Sequence, residues 1–275
     1  MHFLIDADSA IYKAGCANEQ RTWYVYEDGH IVNDFMYKAD AKEWVEEEGI
    51  DPSTVTYEQD KTAGPVHISI SNVDNIIKKI IKHERCSTYQ VYIAGKANFR
   101  YDIDPNYKGN RDKKSKPLHE KQIRERLIKK WSAVVVDAGH ETDDEVSIQC
   151  VRYPDTSVIA TIDKDLNNTP GWHYNFDKEE MFFVTDEEAD LNFYRQMLSG
   201  DAVDGIKGIK GIGKQTAEEL LPHSLTTERL CSIVWSIYKE KGYDYDYFLQ
   251  QGRLLWMRRE YEEMWEPPMQ REVHE

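Results

Sequence analysis

Residues 200–214, Gly-Asp-Ala-Val-Asp-Gly-Ile-Lys-Gly-Ile-Lys-Gly-Ile-Gly-Lys, form the most informative stretch of the chain. Glycines let backbone N–H groups approach a phosphate, and a helix beginning at Lys214 would add the positive end of its dipole. Ile209 and Ile212 would anchor the turn in a hydrophobic core. The stretch therefore predicts a helix-hairpin-helix turn that binds a nucleic-acid backbone without reading bases. The alternative is a plain glycine-rich loop between helices.

Acidic side chains follow three short apolar runs that are typical of buried strands, and a fourth acidic pair lies within the glycine-rich stretch. The ligands of an open α/β sheet bind beyond the carboxyl ends of its strands, so these carboxylates should meet at one rim. Crowded carboxylates repel each other unless a cation is present, and hard divalent cations take oxygen ligands. The pattern predicts a metal site, although any single aspartate here could simply cap a helix. The acidic residues are Asp6, Asp8, Glu141, Asp143, Asp144, Asp163, Asp165, Asp201 and Asp204.

A second basic segment runs from 107 to 116, Tyr-Lys-Gly-Asn-Arg-Asp-Lys-Lys-Ser-Lys. It places one aromatic ring, Tyr107, beside five basic residues. Stacking combined with phosphate contacts holds single strands without sequence preference, so this segment predicts nucleic-acid binding. The alternative is a solvated basic loop.

Composition limits the class of protein. The 275 residues are 40% hydrophobic, enough to bury a core in one large domain or two modest ones. A net charge of −15 argues against a general nucleic-acid coat protein. No apolar run suits a transmembrane helix or a signal peptide. The four cysteines are far apart and lack C-x-x-C spacing, which favours reduced thiols in a cytoplasm over a zinc site or disulfides.

Strands alternate with helices along most of the chain, which predicts an α/β fold with a mainly parallel sheet flanked by helices. Residues 21–65 form a predicted insertion with a β-hairpin turning at Asp28-Gly29. Residues 173–176 and 181–184 are predicted edge strands, and the chain after Gly200 is predicted to be helical. Neither a nucleophile elbow, nor an H-E-x-x-H motif, nor a Walker motif competes with the acidic rim as a site of chemistry.

Five segments occur in the order seen in the flap-endonuclease, or 5′-nuclease, superfamily, and the chain resembles the bacteriophage 5′→3′ exonucleases most. The resemblance implies a PIN-like nuclease core over 1–198, with the insertion 21–65 and a basic arch over 96–131. It also implies a helix-three-turn-helix DNA-binding region followed by an acidic tail over 199–275. The matching segments are Asp6, Tyr-Lys-Gly-Asn-Arg at 107–111, Glu-Thr-Asp-Asp at 141–144, Asp-Lys-Asp at 163–165 and the stretch 200–213.

The resemblance also assigns roles to individual residues. It implies two or more Mg²⁺ ions, with Mn²⁺ as a substitute, and K⁺ at the hairpin. Near the reacting phosphate it implies the basic residues Lys108, Arg111 and Lys13. The implied metal ligands are Asp6, Glu141, Asp143, Asp144, Asp163, Asp165, Asp201 and Asp204. The implied DNA-binding residues are Tyr107, Lys113, Lys114, Lys116, Gly208, Lys210, Gly211, Gly213 and Lys214.

One position departs from the family pattern. The superfamily usually has an aspartate just after the second core strand, before the arch, where this chain reads Ile-Ala-Gly-Lys at 93–96. Gly95 takes the aligned place. Asp8 or a water could fill the gap, so the number of bound cations is left open.

The function implied by the resemblance is a metal-dependent 5′→3′ DNA exonuclease with flap or structure-specific endonuclease activity in phage DNA replication or recombination. The expected partner is DNA with a free 5′ end, a flap or a nick, and an RNA:DNA hybrid is a further candidate. We expect a monomer that binds no membrane and acts in the cytoplasm of the host cell. The alternatives are a PIN-type ribonuclease and a structure-specific DNA-binding protein that has lost catalysis.

Overall fold

The computed structural model describes residues 1–110, 116–137, 139–223 and 225–268. A six-stranded sheet lies at its centre in the order β6-β5-β1-β7-β8-β9, and every neighbouring pair is parallel except β8 with β9. The predicted fold class is confirmed. The expectation that residues 173–176 form an edge strand is wrong, because β8 pairs with β7 on one side and β9 on the other. The strands are β1 His2–Asp6, β5 Thr88–Ala94, β6 Val134–Val136, β7 Ser157–Thr161, β8 Gly171–Asn175 and β9 Glu180–Val184.

Helices cover both faces of this sheet, which is why β1 is apolar on both sides. Phe3 and Ile5 point into one hydrophobic cluster with helices α1, α3 and α5, whereas Leu4 points into the opposite cluster with α6. These packed faces fix the strands and therefore the rim at their carboxyl ends. The helices are α1 Ala7–Cys16, α3 Val66–Ile81, α5 Glu120–Trp131 and α6 Thr142–Arg152.

A second, three-stranded antiparallel sheet occupies the region of the predicted insertion. It has the order β3-β2-β4, from β2 Glu19–Glu27, β3 His30–Phe35 and β4 Val55–Ala63. Helix α2 Lys38–Glu47 closes a small core over it. The predicted hairpin is confirmed, and its two turn residues Asp28 and Gly29 both have the positive φ angles of a tight hairpin turn, 50° and 79°.

The C-terminal part is helical. Its hydrophobic core already includes Leu191, Tyr194 and Leu198 of α7. The boundary at residues 198 and 199 therefore cuts close to this core, and the division into two parts stays a prediction. Among the described residues, no helix is long and apolar enough to cross a membrane. The helices are α4 Arg100–Ile103, before the C-terminal part, then α7 Asp186–Ser199, α8 Lys214–Leu220, α9 Thr227–Glu240 and α10 Tyr245–Leu255.

Candidate active site at the carboxyl ends of the strands

A cleft of about 190 Å³ opens at the rim where β1 and β7 end and α6 begins. This volume is well above the roughly 10–15 Å³ of such space that one water needs, so the cleft has room for a phosphate group. The loop after α7 closes the opposite wall with Asp201 and Asp204. The polar lining consists of Arg100, Tyr107, Lys108, Glu141, Asp143, Asp163, Lys164, Asp165, Gln196, Asp201 and Asp204.

Burial and mutual repulsion raise the pKa values of three acidic residues on the cleft side, even though Lys108 and Lys164 lie near two of them. Asp6 is buried, accepts a hydrogen bond from the Thr161 hydroxyl at 2.8 Å, and has its pKa raised to about 7 by burial and by the charge of Asp8. Burial, followed by the charges of Asp163 and Asp201, raises the pKa of Asp165 to about 7 as well. The pKa of Asp143 is also raised well above its usual value, by burial and then by Asp6 and Asp163.

Oxygen donors with excess negative charge are the chemistry that hard divalent cations require. Within the described ranges, however, no group of three His, Cys, Asp or Glu side chains is arranged to hold a metal ion. The carboxylates share a cleft without converging on one point. Binding of a cation would therefore draw these side chains together, which fits a site whose free acids repel each other.

Asp144, which the sequence predicts as a metal ligand, is instead part of a buried ion pair. Its carboxylate forms a two-pronged ion pair with Arg100, with Nη1–Oδ2 and Nη2–Oδ1 distances of 2.6 and 2.9 Å, and it is fully buried. The backbone N–H groups of Glu141 and Arg258 also donate to it, each at 3.1 Å. Burial alone would raise the pKa of Asp144, but Arg100 and these hydrogen bonds lower it. Both oxygens are occupied, so we assign Asp144 a structural role.

Arg100 is a residue that sequence reasoning missed. Its guanidinium also donates to the carbonyl oxygens of Leu254 at 2.8 Å and Trp256 at 2.7 Å, so it joins the rim to the end of α10. Its side chain is 2% exposed. An arginine in a polar segment gives no sequence signal of burial, because its partners lie far away along the chain.

Tyr107 and Lys108 line the cleft, but Tyr107 does not act as the stacking platform that the sequence predicts. Its ring is 4% exposed, and its hydroxyl lies 2.9 Å from Glu141 Oε2 and 2.8 Å from Asp204 Oδ2. A buried ring offers no face to a base. The Lys108 ammonium contacts Glu141 and lies 3.6 Å from Asp204, so it stands among the carboxylates as expected.

Other predicted basic residues have different outcomes. The prediction that Lys13 belongs to the reacting centre is wrong. Its ammonium pairs with Asp177 at 2.7 Å, and it does not line the cleft. Lys13 lies almost two turns along α1 from Asp6, so it is about 10 Å further along the helix axis. Lys116 is exposed and lies 3.5 Å from Glu120, so its DNA contact stays a prediction. Arg111, Lys113 and Lys114 lie outside the described residues, so their assigned roles stay predictions.

The structure gives a steric reason for Gly95. A side chain at this position would collide with the Val136 carbonyl of the neighbouring strand. Asp8 instead reaches the end of β5, where its carboxylate accepts a hydrogen bond from the Ala94 N–H at 3.0 Å and another from the Thr142 hydroxyl at 2.7 Å. Arg124 lies 3.5 Å from the same carboxylate. Asp8 thus lies beside the end of β5, and its part in holding a cation stays a prediction.

The glycine-rich turn has the predicted anchors. Ile209 and Ile212 are buried, while Gly211, with a φ of 89°, lies in open space at the surface. Lys210, Gly213 and Lys214 are also exposed, which suits the predicted backbone contact.

Gly208 is the exception among the predicted DNA-binding glycines. Its N–H donates to Gln251 Oε1 at 3.0 Å, and its carbonyl accepts from the Tyr247 hydroxyl at 3.1 Å. It packs against Gly200 inside the protein, so the assignment of Gly208 to a phosphate contact is wrong.

Comparison with known proteins finds sequence similarity to phage exonucleases. An exonuclease of Escherichia phage T7 is 30% identical over 146 residues, which are 51% of this chain and 48% of the relative. An exodeoxyribonuclease of Enterobacteria phage T3 matches to the same extent. The chain spans about half the length of these two curated relatives. No protein-family model matches it.

Solved structures agree on the fold. The D15 flap endonuclease of bacteriophage T5, in a complex with DNA and metal ions, superposes with a TM-score of 0.54 at 14% identity, covering 92% of this chain and 88% of that one. The T5 5′-exonuclease with bound zinc gives 0.52 at 14% identity, covering 93% and 89%. The relationship to the 5′-nuclease superfamily that the motifs indicate is confirmed, and the chain shares the fold of these phage enzymes.

Proposed function

We propose that this relative of the phage 5′-nucleases is a divalent-metal-dependent 5′→3′ DNA exonuclease that also cleaves flap structures. One observation carries the proposal: the unbalanced carboxylates of Asp6, Asp143 and Asp165 share one rim with Lys108. The glycine turn with Lys210 and Lys214 follows directly after that rim in the chain. The sequence similarity to phage exonucleases and the shared fold support it.

Seven carboxylates would hold the cations, and Asp144 is left out because it is fully buried and its charge is balanced by the buried Arg100. We expect Mg²⁺, with Mn²⁺ as a substitute, since both take oxygen ligands. When bound, such ions activate a water molecule and neutralise charge on the phosphate and the leaving oxygen. The residues are Asp6, Glu141, Asp143, Asp163, Asp165, Asp201 and Asp204.

The protein's own groups position the reaction. Tyr107 and Lys108 hold Glu141 and Asp204 at the cleft wall. Lys108 and Arg111 would move onto the reacting phosphate and stabilise its developing charge. The arch segment over 96–131 would select the free 5′ end.

Beyond the cleft, the glycine turn would hold the duplex through backbone contacts that ignore sequence. K⁺ at the turn remains part of the proposal. We also propose that the protein acts as a monomer in phage replication or recombination and that it accepts an RNA:DNA hybrid.

The test is a digest of 5′-labelled flap, nicked and blunt DNA, with an RNA duplex of the same sequence alongside. We expect short 5′ products from DNA with Mg²⁺, none with EDTA, and none from Asp143→Asn. Asp155→Asn, which changes an exposed aspartate away from the cleft, is the matched control. Cleavage of RNA but not of DNA would identify a ribonuclease. Absence of any metal-dependent product would leave a DNA-binding protein without catalysis.

A further inference from the structure

Part of the lining of the candidate active site is apolar. The carboxylates make most of the cleft polar, whereas the loop after α7 and the end of α10 also bring hydrophobic side chains to it. Ile206, Leu254 and Leu255 are buried members of the C-terminal core. Val203 and Met257 are not buried, so a ligand in the cleft can reach them. We call these two side chains the apolar pair.

Val203 is exposed at a position where a polar residue is usual. Its side chain is 66% exposed, the largest value for a large hydrophobic residue within the described ranges. Its backbone N–H donates to Asp201 Oδ1 at 2.7 Å, which is a turn contact made by an aspartate with the chain two residues on. Such turns favour Gly, Asn, Asp and Ser, so the turn itself gives no reason for a β-branched apolar side chain.

The backbone on both sides of Val203 is held by hydrogen bonds. The carbonyl of Ala202 accepts from the side-chain amide of Asn110 at 2.6 Å. The carbonyl of Asp204 accepts from the backbone N–H of Lys108 at 2.9 Å. The exposed methyl groups of Val203 are therefore presented to the cleft from a fixed position. A ligand that covers them would lose little binding free energy to ordering of the loop.

Met257 is held in the same way. The carbonyl of Trp256, just before it, accepts from the Arg100 guanidinium at 2.7 Å. The backbone N–H of Arg258, just after it, donates to Asp144 Oδ1 at 3.1 Å. Its unbranched thioether side chain can still adapt to surfaces of different shape. The apolar pair thus combines one stiff and one adaptable side chain beside the carboxylates.

We infer that the apolar pair contacts the base of a nucleotide next to the phosphate that is held at the carboxylates. The flat face of a base is the large apolar surface of a nucleotide, and Met and aliphatic side chains are used against such faces. All four bases present this face, whereas only the base edges carry the hydrogen-bonding pattern that distinguishes them. The contact would therefore position DNA of any sequence. The inference rests on the proposed function, because it requires a phosphate at the carboxylates.

Cleavage of matched 5′-flap substrates with Mg²⁺ tests this contact. One substrate is unmodified, and two others carry an abasic nucleotide on one or the other side of the cleaved bond, which removes the base and keeps the backbone. Val203→Ser combined with Met257→Ser should lower kcat/KM on the unmodified substrate by about 5- to 30-fold, the scale of losing two partly buried apolar contacts. On one of the abasic substrates, wild type and variant should agree within about twofold, because the partner of the contact is already missing.

Three further variants keep the result interpretable. Val203→Ile combined with Met257→Leu keeps the apolar surface and should retain the wild-type rate. Val32→Ser changes a valine of the small sheet that is 40% exposed, and it should leave cleavage of all three substrates unchanged. Val203→Ser alone alters only an exposed side chain, so it gives the same comparison if the double variant fails to fold.

The outcomes separate this inference from the proposed function. If wild type cleaves and the serine variants lose the same factor on all three substrates, the apolar pair supports the loop and touches no base. Full activity of the serine variants on the unmodified substrate would overturn the inference as well. If wild type cleaves none of the substrates with Mg²⁺, the proposed function is overturned, and this inference with it.

Discussion

Two neighbouring carboxylates in the first turn of α6 lie in opposite electrostatic surroundings. Asp143 faces the cleft, where burial and then the charges of Asp6 and Asp163 raise its pKa. Asp144 faces inward, where Arg100 balances its charge and its pKa is lowered. One step along a helix turns a side chain by about a quarter of the circle, since 3.6 residues make a turn. The same sequence motif therefore supplies one residue for chemistry and one for stability.

The comparison shows how this fold separates the two tasks. A buried charge is costly unless a partner balances it, and breaking a balanced pair costs more than the pair contributes. The inward side of α6 is balanced within the protein, whereas the cleft side is left for a ligand to balance. The cleft side should therefore lower the stability of the metal-free protein, and the inward side should support it.

The largest expected effect is on catalysis by Asp143→Asn. Losing the negative charge and one of the two oxygens should reduce cleavage of a 5′-flap substrate by at least about 100-fold, since even outer contacts of metal sites matter 10- to 100-fold. In EDTA the same variant should melt at a higher temperature than wild type, because one repelling charge is gone. Single-turnover cleavage and thermal melts measure the two effects. A variant that cleaves normally would make Asp143 a surface acid.

The second-largest effect on catalysis is expected for Lys108→Ala, because Lys108 contacts the cleft carboxylates as Arg100 contacts the buried Asp144. If it acts on the reacting phosphate, single-turnover rate should fall by about 10²- to 10³-fold, with little loss of DNA affinity. Lys116→Ala is the matched control at an exposed position and should cause only a small, salt-dependent loss of binding. Equal, small effects at both positions would remove the catalytic role from Lys108.

Asp144→Asn should act mainly on folding. Removing one partner of a buried ion pair leaves Arg100 unbalanced, and such changes cost about 3–5 kcal/mol. Denaturant unfolding in EDTA would show a lower midpoint, opposite in sign to Asp143→Asn. The paired change Arg100→Met with Asp144→Leu should recover part of that loss, because both charges leave together. Normal stability combined with lost cleavage would return Asp144 to the metal ligands.

The smallest effect is a dependence on pH. The pKa of Asp6 is raised to about 7 in the folded protein, so the native state keeps a proton that the unfolded chain has already lost above pH 4. Folding stability in EDTA should therefore fall as pH rises from about 4 to 7 and level off near 8, because the native state then binds more protons than the unfolded one.

The pH effect is measured as a difference between two proteins. The free energy of unfolding of Asp6→Asn minus that of wild type should grow over this pH window, which cancels contributions from other groups such as His173. Excess Mg²⁺ should shrink the difference, because the cation stabilises only the protein with the intact site. A difference that does not change with pH would mean that the pKa of Asp6 is not raised in the folded protein.

The central strands, the hairpin and the acidic rim could be predicted from the sequence, because each depends on local patterns of apolar residues, turn residues and charge. The burial of Ile209 and Ile212 was predictable for the same reason. The pairing of Asp144 with Arg100 was not, since the two lie 44 residues apart. The buried ring of Tyr107 and the outward direction of Lys13 likewise depend on packing between distant elements.

The contacts of Arg100 have a consequence for cooperativity. This guanidinium joins the first turn of α6 to the carbonyls that end α10, so one buried group belongs to both halves of the molecule. Opening either half would expose an unbalanced charge in the other. We therefore expect the amide hydrogens of α6 and α10 to exchange with solvent as a single unfolding unit, with closely matched free energies of opening.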